Sequence, residues 1–139
     1  MKNLGIMVCA LLVGLSISAQ EKKRATLTVT IDNVSGDEGT VLAALHTQDT
    51  FMKGAGIINR AQPAKKGEVT FIFADIEPGT YAISVMHDAN DNKQMDREPN
   101  GMPTESYGMT GTMNPYGPPV FDEVKFEANG EDQEFRIQF

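Results

Sequence analysis

Residues 87–96 read HDANDNKQMD and follow directly on the apolar stretch PGTYAISVM. Counted from Asp88 as the first position, oxygen-bearing side chains recur at the third (Asn90), the fifth (Asn92) and the ninth (Asp96), the spacing of a calcium loop. Calcium takes roughly six to eight oxygens at about 2.3–2.6 Å. Asp88, Asn90, Asn92 and Asp96 offer four side chains and the Gln94 carbonyl a fifth, with Glu98, Glu105 or water to complete the shell. Two parts of the full motif are absent: Lys93 stands where a sharp turn calls for glycine, and Pro99 where a bidentate glutamate would sit. A lysine enters the left-handed conformation at a cost of roughly 1 kcal/mol, so the loop is weakened and not forbidden. The expected site is weak, in the sub-millimolar to millimolar class of extracellular modules. The same composition also suits a solvated turn, because Asn and Asp side chains bond their own backbone. Both readings stand at this point.

Other chemistry finds less support. His46 and His87 are the only histidines, with no third ligand at a zinc-like spacing, so each reads as a histidine bonded to a neighbouring strand. There is no Gly-x-Ser-x-Gly elbow and no glycine-rich phosphate loop. Paired carboxylates occur at Asp122–Glu123 and Glu131–Asp132, but neighbours in a strand point to opposite faces and those in a turn are solvated. A carbohydrate-active hydrolase drawing on loop carboxylates such as Glu105 is the alternative from a different class.

The elements that must hold the stretch are strands. Residues 25–31 alternate Leu27, Val29 and Ile31 with threonines, and residues 40–46 (TVLAALH) follow a Gly-rich turn. Residues 47–56 allow a short helical turn with Phe51 and Met52 as its large apolar residues. Val69, Phe71 and Phe73 share one face of a strand over 68–76, and Tyr81, Ile83, Val85 and His87 one face of a strand over 80–88. Two more strands are expected over 120–128 and 133–139, joined as a tight hairpin by the Asn-Gly of NGED. No segment keeps a helical period, so the fold class is all-β, a Greek-key-like β-sandwich.

One long loop interrupts it. About thirty residues between Asp88 and Val120 carry no strand or helix pattern, and a loop of that length is usually functional or held by something. Met102, Tyr107, Met109, Met113, Tyr116 and Phe121 bring more apolar area than a solvated loop tolerates. They either cover an open end of the sandwich or form a contact patch for a partner.

The first 19 residues read as a signal peptide: Lys2, an apolar run from Leu4 to Leu15, then Ser16, Ser18 and Ala19. The run is too short to span a bilayer, which needs roughly 20 apolar residues, so no transmembrane segment is expected in the mature chain, residues 20–139. The only cysteine, Cys9, leaves with it. Setting Lys2 aside, the charge is about −8, a surface that repels phosphate backbones and disfavours nucleic acid.

Three segments in order, IEPGTYAISVMHDANDNKQMD, NGMPTESYGMT and PPVFDEVKFEA, resemble the domain of unknown function 2141 family of exported bacterial proteins. The similarity runs from Leu27 to Phe139. It implies an export signal and a small β-sandwich in the style of transthyretin-like and carboxypeptidase regulatory-like modules, and it implies no activity. Lys93 departs from the family pattern, which has glycine there, and Val124 stands where alanine is expected. The expectation is an exported, periplasmic or extracellular module that binds a protein or glycan at the cell envelope. In that reading calcium stiffens the loop over 88–96. The alternative is a purely structural sandwich without metal.

Overall fold

The computed structural model describes residues 21–139; the expected leader, residues 1–19, lies outside the described residues. Among the described residues eight strands form, at Ala25–Val34 (β1), Thr40–His46 (β2), Ile58–Pro63 (β3), Gly67–Ile76 (β4), Gly79–Asp88 (β5), Tyr107–Met109 (β6), Phe126–Ala128 (β7) and Gln133–Gln138 (β8). One helical turn, Phe121–Val124 (α1), precedes β7. Among the described residues no helix is long and apolar enough to cross a membrane.

The strands make two packed sheets, an all-β sandwich. The smaller has the order β4-β1-β8, with β1 antiparallel to β4 and parallel to β8. The larger runs β3-β2-β5-β6, and β7 also pairs with β5. β5 is therefore paired along both edges: β2 on one side, and on the other β7 at its start and β6 further along. The alternation read in the sequence places Leu27, Val29, Ile31, Val69, Phe71, Phe73, Ile83 and Val85 in one core, with Val41, Ala43 and Leu45 from β2. The period breaks at Asp75, whose φ of 58° shifts the register so that Ile76 fills the core beside Ala25.

Three expectations are corrected. The strand over 120–128 begins instead as α1, and only Phe126–Ala128 is extended. NGED does not close a hairpin, because β7 pairs with β5 in one sheet and β8 with β1 in the other; the turn, with Gly130 at φ 87°, carries the chain between layers. The segment after Asp88 is not without strands, since β6 pairs Ser84, Val85 and Met86 with Met109, Gly108 and Tyr107. β3 was not expected either: its INRAQP sequence is almost wholly exposed and has no apolar alternation to reveal it.

β6 also closes the gap between the sheets. Gly108 is buried opposite Val85, and a Cβ built on it would come within 2.4 Å of Ile137 Cγ2 in the facing layer. Ile137 is itself buried in the core and cannot move freely aside. Gly108→Ala is expected to cost about 1–3 kcal/mol through overpacking, seen as a lower denaturant midpoint with an unchanged slope.

Candidate functional site

The loop after β5 is organised by Asp88, which is 1% exposed. The backbone N–H groups of Asn92 and Lys93 donate to its Oδ1 and Oδ2 at 3.2 and 2.7 Å. Those bonds fold the chain back at once, with Asp91 and Lys93 both left-handed at φ 56° and 59°. Lys93 thus adopts the conformation for which glycine is the ordinary choice. Asn90 and Asn92 each accept a backbone N–H two residues on, at 3.3 and 3.0 Å, and their amide groups donate to Asp96 Oδ2 and Oδ1 at 2.6 and 2.7 Å. Asp96 N–H donates to Glu105 Oε2 at 3.3 Å, and the Asp96 carbonyl accepts from Thr104 N–H at 2.9 Å.

The structure therefore brings Asp88, Asn90, Asn92, Asp96 and Glu105 into one connected network. Gln94 and Glu98 contribute through their backbones: Gln94 N–H donates to Asn92 Oδ1, Glu98 N–H donates to the Met102 carbonyl at 2.8 Å, and the Glu98 carbonyl accepts from Gly101 N–H at 2.8 Å. Among the described residues no group of three or more His, Cys, Asp or Glu side chains is disposed to hold a metal ion. A cation in this loop would need the asparagine oxygens as well, and would take Asp96 away from both amides.

The turn before β2 clamps the root of the loop. His87 Nε2 meets the Glu38 carbonyl at 2.7 Å, and Thr40 Oγ1 donates to Asp91 Oδ1 at 2.6 Å. Gly39, at φ 73°, lies so close to Asp88 that an added Cβ would stand 2.1 Å from the Asp88 carbonyl oxygen. His46, also buried, bonds Thr50 and Ser84 at 3.2 and 3.1 Å, and burial holds its imidazole below the ordinary value. Both histidines are thus bonded between neighbouring segments.

The apolar residues of the long loop divide in two. Met109, Met113 and Phe121 pack on Phe51, Ala82 and Val124 as a second small core, locked by Thr110, whose Oγ1 donates to the Val124 carbonyl at 2.7 Å. Met102, Tyr107 and Tyr116 remain exposed, Tyr116 at 96%. Between the loop and the sheet lies a groove of about 910 Å³. Leu42 and Met86, cross-strand partners on the face turned away from the core, form part of its lining with Tyr107, the partner of Met86 on β6. Met95, Met102 and Pro103 contribute from the loop. Sequence reasoning missed Leu42 and Met86 as candidate lining, although their alternation with Val41 and Val85 marks them as facing outward.

The paired carboxylates have structural or solvated roles. Asp122 pairs with Lys125 at 2.7 Å on the surface, and Asp132 Oδ1 accepts the Thr26 N–H at 2.8 Å.

The chain matches, over residues 29–136, the family described as "Uncharacterized protein conserved in bacteria (DUF2141)", and it belongs to that family. Comparison with curated proteins and with solved structures finds no match.

Two outcomes check the loop. Asp88→Ala removes the acceptor of two backbone N–H groups and should lower stability by about 1–3 kcal/mol, a fall of several degrees in Tm. Glu105 is held above the ordinary glutamate range first by burial and then by the Asp96 and Asp88 charges, against N–H donation from Asp96 and Ala89. With its folded pKa raised, the stability it contributes is complete below the unfolded value of about 4.3 and is lost as pH climbs through the folded value. Glu105→Gln keeps an acceptor without the charge, so its Tm should gain on the wild type as pH rises above the ordinary glutamate value of about 4.3 and hold that lead once the wild-type carboxyl has ionised. A difference independent of pH would contradict this account of Glu105.

Proposed function

Starting from membership of a family whose description names no activity, we propose that the protein is an exported, non-catalytic binding module that seats its ligand on the outer face of the larger sheet. The observation that carries this reading is the groove of about 910 Å³ beneath the loop that Asp88 ties down. Ligand sites are typically concave, mostly apolar and about 300–1,000 Å³, and this groove falls in that range. Export rests on the leader-like residues 1–19, whose apolar run ends in small residues ahead of a charged segment.

The neutral dye Nile red, fluorescent in apolar surroundings, tests the groove. Saturable enhancement is expected with the purified protein, and it should be weakened severalfold or more by Met102→Glu, a change at a side chain already 63% exposed. Absence of saturation, or indifference to Met102→Glu and Leu42→Asp alike, would remove the groove as a binding site.

A second reading has calcium entering the loop, and the convergence of oxygen-bearing side chains from Asp88, Asn90, Asn92, Asp96 and Glu105 in one hydrogen-bonded network supports it. Binding to the folded state at tenfold excess over Kd adds about 1.4 kcal/mol. In about 5 mM calcium against chelator, a concentration suited to weak extracellular sites, Tm should then rise by several degrees, and Asp96→Ala should abolish the rise. Equal Tm in both media would leave the loop as a set of Asx turns held by its own side chains.

A further inference from the structure

The ionisable groups around the groove are one-sided. Arg60 from β3 and Lys93 and Arg97 from the loop line it together with His46, and neither Asp nor Glu does so. The full chain has 19 acidic against 12 basic residues, so a lining without a single carboxylate departs from the composition of the protein around it. Among the described residues, ion pairs are made by Arg24, Lys125 and Arg136, and none by Arg60, Lys93 or Arg97. The guanidinium groups of Arg60 and Arg97 touch only backbone carbonyls, those of Asn59 and Gly101, at 3.2 and 2.9 Å.

The rest of the lining says what should join an anion to the protein. Leu42 and Met86 belong to β2 and β5, each paired along both edges, so the floor of the groove offers little to a ligand that brings its own hydrogen-bonding groups. A peptide laid there would bury amides without partners, each at a cost of about 1–3 kcal/mol. An alkyl chain brings none. Methionine side chains at 86, 95 and 102 are unbranched and adaptable, suited to a flexible chain.

Resting on the binding-module reading above, we propose that the ligand of the groove is a long-chain carboxylate, its alkyl chain lying on Leu42, Met86 and Met102 and its head group met by Lys93 and Arg97 from the loop; Arg60, opposite the inward-facing Ala43, starts from the other face of the sheet. Guanidinium groups suit the head because they pair with a carboxylate through two parallel hydrogen bonds.

Equilibrium dialysis of the purified protein against submicellar palmitate tests this, with hexadecanol and a short apolar peptide carrying one glutamate as comparisons. Saturable one-to-one binding of palmitate is expected, with protection of Met86 and Met102 from oxidation by peroxide. The combined variant Lys93→Gln, Arg97→Gln should weaken palmitate about tenfold or more, the loss of a charge-assisted contact, and leave hexadecanol unchanged. Lys65→Gln, an exposed lysine outside the groove, should change neither. Palmitate binding that ignores the combined variant would overturn the head-group assignment. Binding of the peptide without palmitate would overturn the acyl ligand while the binding module stands. Failure of all three to bind, together with failure of Nile red, would overturn both.

Discussion

A buried carboxylate at the end of a strand is the constraint on which the functional half of the molecule depends. Asp88 closes β5 at 1% exposure, and it is tolerated there because the chain returns two backbone N–H groups to it within five residues. A charge taken out of water is costly unless bonded, so the turn cannot open without exposing that cost. The left-handed Asp91 and Lys93 are the strain accepted in exchange. Everything downstream inherits its starting direction from this turn: the Asn90 and Asn92 bonds to Asp96, the anchoring of Asp96 to Glu105, and the path of the loop across the outer face.

The sandwich and the loop are coupled through β5. The residues of β5 that face inward, Ile83 and Val85, belong to the main core, while Ala82 from the opposite face belongs to the second one. Pairing on both edges leaves this strand no freedom to slip, since a shift of one residue would exchange the two faces. The groove is therefore built on strands paired along both edges and walled by a segment that hydrogen-bonds mainly to itself. Rigid floor and locally determined wall are a common division of labour at binding sites.

Much of this was legible in the sequence, and the failures have physical causes. Alternation located β1, β2, β4 and β5 because one face of each is buried. β3 carries no such alternation, being an exposed edge strand held by backbone pairing with β2. Phe121 and Val124 suited a strand, yet three residues apart they also suit a helical turn, and Val124 is buried through that turn. Asn-Gly at 129–130 was read as a local hairpin signal, although such a signal cannot say which sheet the next strand will join. The asparagines were more informative than their looseness as turn formers suggests: Asn90, Asn92, Asn100, Asn114 and Asn129 all accept the N–H two residues on. The cation-lined groove was not legible, because Lys93 and Arg97 come to line it with Leu42 and Met86 only once the loop lies over the sheet.

The parallel pairing of β1 with β8 bears on when the molecule can exist as a folded body. Leu27 finds its partner in Gln133 and Ile31 in Ile137, so the first strand of the smaller sheet is completed by the last. Until residues 133–138 are synthesised, β1 has only β4 beside it, and Ile137 is missing from the interior that Gly108 must meet. Contacts so distant along the chain are slow to close. The nascent chain therefore has no complete sandwich until its last strand emerges, and the layers close together late instead of one after the other.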